Sequence, residues 1–252
     1  MKQTDKEETV ISVSDLYKIY KLGQERVPAL RGVSFEVKRG TFCAIVGTSG
    51  SGKSTLLNML AGLEPPTKGE VIVAGEHMEH KRENQLVAFR RKHVGFIFQA
   101  YNLIPSLNAL ENVALPLSFR GVRKSVRIRA ADRYLDLVGL QKYKKHRPNE
   151  MSGGQQQRVG MARALVCDPE IIYADEPTGN LDSNTSEEMM NLMRNIVHER
   201  GCTLVMVTHD NHLASYADQV VRIQDGKVKE ITTGEALRER MEAMEKAVAG
   251  QV

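Results

Sequence analysis

The stretch Gly47-Thr48-Ser49-Gly50-Ser51-Gly52-Lys53-Ser54-Thr55, "GTSGSGKST", decides the fold. Its first eight residues match G-x-x-x-x-G-K-[ST], a loop whose backbone N–H groups cradle phosphates. The flanks agree with that reading. "TFCAIVG" at 41–47 is a continuous apolar run, the pattern of a strand buried on both faces. "GKSTLLNMLAGL" has helical periodicity and stops at Gly62, ahead of Pro65-Pro66. Glycines let the backbone close around an anion, and the helix dipole adds favourable potential for negative charge. Lys53 is expected to reach the β- and γ-phosphates, and the Ser54 hydroxyl to ligate Mg²⁺.

Three more buried-strand runs follow: "VGFIFQ" (94–99), "IIYAD" (171–175) and "TLVMVTH" (203–209). "SNTSEEMMNLMRNIVHERG" is helical, with Met189, Leu192, Met193 and Ile196 on one face and Gly201 closing it. "TVISVSDLYKIY", "LRGVSFEVKRG" and "EVIVAGE" alternate with period two and predict a small antiparallel sheet. In "VVRIQDGKVKEI", Asp225-Gly226 predicts a hairpin turn. Between about 100 and 150 there is no buried-strand run. Asn108 and Glu111 form a potential capping box there, and 125–139 is amphipathic. The expected fold is α/β: a P-loop NTPase core with a mixed, mainly parallel sheet, a small N-terminal antiparallel β subdomain and an inserted α-helical subdomain at 100–150. The core is expected to span 8–235. Leu237, Met241, Met244 and Val248 predict a helical tail over 236–252.

In a sheet of this kind, ligands bind at the C-terminal strand ends. "IIYADE" delivers Asp175 and Glu176 there. Two adjacent carboxylates at a buried strand end repel each other and lose solvation, and a metal ion relieves that cost. Asp175 is read as a metal organiser, and Glu176 as general base for the attacking water. Gln99 ends its strand and can offer an amide oxygen to Mg²⁺ or to the water. His209 ends another strand and can donate to the γ-phosphate. Tyr20 precedes the phosphate loop and can stack on adenine, although packing alone also explains an aromatic there.

A second glycine turn opens a helix at "MSGGQQQRVGMARALV", Met151 to Val166. Ser152 can cap a helix beginning near Gln155, and Gly153 and Gly154 permit close approach of a phosphate. The inserted segment separates this anion site from the Gly47 loop, so the phosphate it suits is expected to belong to a second molecule.

"GTSGSGKST", Gln99, "SGGQQQR", "IIYADEP", "TGNLD" and "THD" follow one another as in the nucleotide-binding subunits of ABC transporters, which this chain resembles over about residues 8 to 232. The resemblance implies ATP with Mg²⁺, and a site made of Tyr20, Gly47, Thr48, Ser49, Gly50, Ser51, Gly52, Lys53, Ser54, Thr55, Gln99, Asp175, Glu176 and His209. It implies two subunits head to tail, with Ser152, Gly154 and Gln155 of one chain contacting the γ-phosphate held by the other. It also implies that Asp182 lies between the two sites, and that a separate membrane permease is the partner. "DEPTGNLD", "GFIFQAYNLIP" and "YKLGQERVPALRGVSF" are similar to the branch that serves lipoprotein release, macrolide export and antimicrobial-peptide resistance. Met151 stands where the family more often has Leu, an apolar exchange.

The net charge of +4, from 35 basic and 31 acidic residues, is too small to argue for nucleic acid. Cys43, Cys167 and Cys202 are odd in number and scattered, without the spacing of a disulfide framework or metal ligands. "MKQTDKEETV" does not read as a secretion signal, and no apolar run approaches the roughly 18 residues of a membrane helix. The expected place of work is the cytoplasmic face of a membrane, held there by the permease. An ATPase acting on DNA or ribosomes usually carries paired modules, zinc modules or coiled-coil arms, and none is legible. A module that only binds ATP is disfavoured by Glu176 and His209.

Overall fold

The computed structural model describes residues 8–237 except 235. The chain divides into two compact units, 8–81 with 197–237, and 82–196.

In the first unit, β1 (Thr9–Leu22) and β2 (Glu25–Lys38) form a long antiparallel hairpin. Its tight turn needs the positive φ of Gly23, +63°. β3 (Phe42–Val46) is buried along its whole length. The helix α1 (Lys53–Leu60) follows the phosphate loop. It ends in a Schellman motif: Gly62, at φ +64°, donates its N–H to Met59 O, and Leu63 N–H reaches Asn58 O at 2.8 Å. β4 (Lys68–Val73) pairs antiparallel with β1, and β5 (Glu76–His77) adds the edge. The alternating runs therefore form the expected antiparallel sheet.

The second unit opens with α2 (Glu83–His93) and β6 (Val94–Phe98). Within the 100–150 region lie α3 (Ala109–Phe119) and α4 (Lys124–Leu137). Asn108 Oδ1 accepts Glu111 N–H at 2.9 Å and Glu111 returns a bond to Asn108 N–H at 3.0 Å, the expected capping box. Lys144, in the basic run after α4, pairs with Asp132 and Asp136 at 2.7 Å each, which is an ordinary solvated ion-pair surface. α5 (Gly153–Leu165) and β7 (Ile171–Asp175) follow. β6 and β7 are parallel, with Phe98 opposite Asp175. α6 (Ser183–Arg200), whose residues from Val197 onward belong to the first unit, buries Met189, Met190, Met193, Ile196 and Val197. Gly201 stands after it at φ +67°.

Back in the first unit, β8 (Thr203–Thr208) is buried throughout and runs parallel to β3. A short helix, α7 (Asn211–Ala214), leads to β9 (Gln219–Gln224) and β10 (Lys227–Thr233). β9 is parallel to β3 and antiparallel to β10, so this sheet is mixed. Asp225 and Gly226, both at positive φ, make the expected hairpin turn. Two predicted strand ends shift by one residue: Gln99 and His209 lie just beyond β6 and β8, where the ladders stop. The predicted tail helix lies outside the described residues, apart from Ala236 and Leu237. All three cysteines are free thiols.

Candidate functional site

The first unit carries the phosphate loop. Gly47 leaves β3 where a Cβ would stand 2.2 Å from Ile223 O and 2.6 Å from Ser51 Oγ, so no larger residue fits. Gly52 has φ +100°, and a Cβ there would meet Ala29 O at 2.6 Å. Gly52 is also the N-cap of α1 and offers no side-chain acceptor, so the first-turn amides face the loop. No acidic residue sits in that turn. The turn of the β9–β10 hairpin braces the loop, Gly226 donating its N–H to Ser51 O at 3.1 Å. Lys53 is buried, and its ammonium donates to Gly47 O at 2.8 Å and Thr48 O at 3.0 Å. Ser51 Oγ is buried without a hydrogen-bond partner. A loop that admits no side chain at 47 or 52, a buried ammonium held on it, and a hydroxyl in need of a partner together suit a polyphosphate. Thr48, Ser49, Gly50 and Ser54 are exposed along the loop, and Thr55 is half-buried.

Tyr20 donates its hydroxyl to Glu64 Oε2 at 2.8 Å and approaches Thr55 Oγ1 at 3.5 Å. The Lys18 ammonium lies 5.2 Å from its ring centroid. The hydroxyl is thus committed to α1 and its C-terminal turn, and Tyr20 as a whole is half-buried. His209 follows Thr208, which pairs with Val46, so His209 and Gly47 leave neighbouring parallel strands at the same end. The His209 side chain is exposed.

The second unit carries the other residues. Because Phe98 is opposite Asp175, Gln99 and Glu176 emerge together at the C-terminal end of the pair. Glu176 has φ +43°, the left-handed region that a residue with a Cβ enters at a cost. Its carbonyl accepts Gly179 N–H at 3.0 Å, which closes the turn. Gln99 is exposed. Its side chain lies over Gly179, where a Cβ would be 2.7 Å from Gln99 Nε2, and its carbonyl accepts Asn180 Nδ2 at 2.9 Å. Tyr101 and Asn102, both at positive φ, continue this loop, and the Arg163 guanidinium holds both of their carbonyls.

The second glycine turn differs from expectation in its start. α5 begins at Gly153, two residues before Gln155, because Ser152 Oγ caps Gln155 N–H at 3.3 Å from the N-cap position. Gln155 Oε1 returns a bond to Ser152 N–H at 3.0 Å, so its side chain serves the capping box within this chain. The glycines also have an internal reason that the sequence did not reveal. A Cβ on Gly153 would stand 2.8 Å from Tyr101 Oη, and one on Gly154 would stand 2.6 Å from Thr185 Cγ2. Asp182 caps α6, taking Thr185 N–H at 3.0 Å and Thr185 Oγ1 at 2.7 Å, and these bonds hold its carboxyl below the usual carboxylate range.

Sequence reasoning missed Gln157, which lies fully buried on α5 and spans to the carbonyls of Phe98 and Pro177. It also missed a cluster in the first unit, His77, Glu79 and His80, whose ligating atoms lie within 4.8 Å of one another. Its spacing, H-x-E-H, was legible. Glu79 is already occupied there, by His77 Nδ1 at 2.7 Å and Val71 N–H at 3.0 Å.

A model of the family described as ABC transporter matches residues 30–179. An ABC transporter ATP-binding protein of Thermotoga maritima is 51% identical over 88% of this chain and 94% of its own length. The lipoprotein-releasing system ATP-binding protein LolD of Geobacter metallireducens is 45% identical over 87% of this chain and 98% of its own. Among solved structures, the dimeric post-hydrolysis state of the ATP-binding cassette MJ0796, bound to ADP and Pi, aligns with TM-score 0.82 and 41% identity over 88% of this chain and 98% of that one. Together with the phosphate loop built here, these matches show that the chain belongs to the ABC transporter family and is one of its ATP-binding, ATP-hydrolysing cassettes.

Proposed function

We propose that two copies of this chain close head to tail around ATP and Mg²⁺, and that the cycle of closure and hydrolysis drives a separate membrane permease. The observation that carries this reading is the exposed Ser152 turn at the start of α5, a second helix N-terminus fit for an anion in a chain that already owns the Gly47 loop. In the proposed dimer, Ser152, Gly154 and Gln155 of one copy meet the γ-phosphate held by Lys53 of the other. The dimeric state of the MJ0796 cassette supports it. The name of the LolD relative, the ATP-binding protein of a lipoprotein-releasing system, supports a lipoprotein-handling transporter. Among the described residues no helix is long and apolar enough to cross a membrane.

The donor set fits Mg²⁺. The Ser54 hydroxyl, the Asp175 carboxylate and the Gln99 amide oxygen are hard oxygen ligands, with no sulfur among them. When bound, Mg²⁺ neutralises charge on the β- and γ-phosphate oxygens. Lys53 exchanges its two loop carbonyls for phosphate oxygens. Glu176 takes a proton from water as that water attacks the γ-phosphorus and the bond from phosphorus to the β–γ bridging oxygen breaks, so that ADP leaves and phosphate is formed; His209 steadies the water and the γ-phosphate. The domain reading is an ABC cassette over 8–235 with the helical region 100–150 as an insert. Within that insert, half-buried Tyr101, Leu103 and Leu107 follow Gln99 and are the proposed contacts for the permease.

Dimer formation tests the reading. Glu176→Gln should slow hydrolysis by roughly 10²–10⁴-fold, the scale of a general base, and should accumulate as an ATP-bound dimer. Adding Ser152→Arg should return it to monomers that still bind ATP. Light scattering after size exclusion, with ATP and with ADP, reads both results. A double variant that dimerises as well as the single one contradicts the shared site. For the permease, Leu103→Asp with Leu107→Asp should release the folded protein from native membranes, and undiminished membrane retention refutes that docking face.

A further inference from the structure

We infer that Gln157 is a positioning residue that ties the Ser152 turn to Gln99 and Glu176 of the same chain. Its place in the helix makes this possible. Gln157 lies two residues beyond Gln155, the last residue of the capping box, on α5 and is completely buried. Its Nε2 donates to Phe98 O at 3.3 Å and, in a short contact, to Pro177 O. Phe98 immediately precedes Gln99, and Pro177 immediately follows Glu176. One side-chain amide therefore holds the chain on the near side of the first residue and on the far side of the second.

Both partners of the amide are carbonyls, which only an N–H can satisfy, so the nitrogen must face them. Oε1 then faces the interior without a partner. A fully buried amide with one orphan oxygen is costly to keep. A leucine would fill similar space without that cost, so the donor end must contribute something that an apolar residue cannot. What it contributes is location. Glu176 sits at φ +43°, a conformation that persists only where the surroundings over-determine it. The clamp on Pro177 O, with the Gly179 N–H bond to Glu176 O, brackets that residue on its C-terminal side. On the Gln99 side, Asn180 Nδ2 holds the carbonyl next to the one that Gln157 holds.

The consequence rests on the head-to-tail reading above. There the Ser152 turn closes on a nucleotide held by the partner copy. A displacement of α5 along its axis moves Gln157, and Gln157 moves the backbone on which Gln99 and Glu176 stand. The engagement of one ATP is thus transmitted to the hydrolytic groups of the other site through one amide.

The test is a double-mutant cycle. Gln157→Leu removes the donors at similar volume. Gln157→Met keeps the length of the side chain and offers no donor, and it serves if the leucine variant fails to fold. Either should lower kcat by about 10- to 100-fold, the scale of a roughly 1 Å misplacement of a reacting group, with KM for ATP changed less than about twofold. Because Gln157 acts through Glu176, its loss on the Glu176→Gln background should cost little more in single-turnover phosphate release. Multiplicative loss in the double variant, or a wild-type kcat per folded molecule in either single variant, overturns the inference. ATP-driven dimerisation of Glu176→Gln, measured separately, reports on the two-copy reading, so failure of one is distinguishable from failure of the other.

Discussion

Gly154 and Thr185 are in steric register: a Cβ on Gly154 would stand 2.6 Å from Thr185 Cγ2, while Thr185 holds both carboxylate oxygens of Asp182. The start of α5 and the cap of α6 are therefore one packed body. Thr185 cannot rotate away from a new methyl without giving up its hydroxyl bond to Asp182. Gly154 has no positive φ, and alanine is the better helix former by roughly 1 kcal/mol. Gly154→Ala should nevertheless lose ATP-driven dimerisation, measured by light scattering. Adding Thr185→Ser, which deletes the clashing methyl and keeps the hydroxyl, should restore it. Failure of the serine to rescue would place the need for Gly154 elsewhere, against the nucleotide itself.

The phosphate loop makes a different steric demand. At Gly47 a Cβ meets backbone, Ile223 O at 2.2 Å, and β9 cannot yield as a side chain would. Gly23 is the control, with φ +63° and nothing within 4 Å. Gly23→Ala should cost only its conformational strain, about 1 kcal/mol. Gly47→Ala should cost roughly 2–4 kcal/mol, a fall in Tm of about 5–15 °C, and nucleotide binding with it. Equal Tm shifts in the two variants would show that the loop can move away from β9.

Removal of the metal should stop the reaction. In excess chelator, phosphate release should vanish while nucleotide-free secondary structure is unchanged. Asp175→Asn keeps the shape and loses the charge, and should lower kcat by at least about 100-fold, since a catalytic metal contributes several kcal/mol of charge stabilisation. Turnover within a few fold of the parent in the asparagine variant would remove Asp175 from the metal's surroundings.

Tyr20 separates ring from hydroxyl. If its ring stacks on adenine, Tyr20→Ala should weaken ATP binding by roughly 1–3 kcal/mol, and Tyr20→Phe should not, as read by titration calorimetry. The phenylalanine variant has its own signature. Burial alone would raise the Glu64 carboxyl, but its bonds from Tyr20, Asn58 and Lys18 outweigh that and hold it below its ordinary 4.5. A depressed carboxylate stabilises the fold fully above 4.5, and that contribution is lost as pH falls through the folded value. Tyr20→Phe removes one bond, so its stability deficit against the parent should be present at pH 7 and shrink below pH 4.5. A deficit that does not change with pH would mean that Glu64 is held without Tyr20.

The sequence by itself determined what local chemistry dictates. Gly-x-x-x-x-Gly-Lys-Ser between an apolar run and a helical one admits few other backbones. Asn108 with Glu111, and Asp225-Gly226, carry their capping and turn geometry within a few residues. The side-chain periods assigned the antiparallel hairpins and the buried strands. Only the tertiary structure decided why Gly154 is glycine, how Glu176 comes to a positive φ, and that Gln157 is a clamp rather than one more glutamine in a polar run. Those facts depend on contacts between residues far apart in the chain, such as Gln157 with Phe98, 59 positions away. Such a contact leaves no period or spacing in the sequence, because what selects the side chain is the position of a backbone carbonyl that exists only once α5 has packed beside β6.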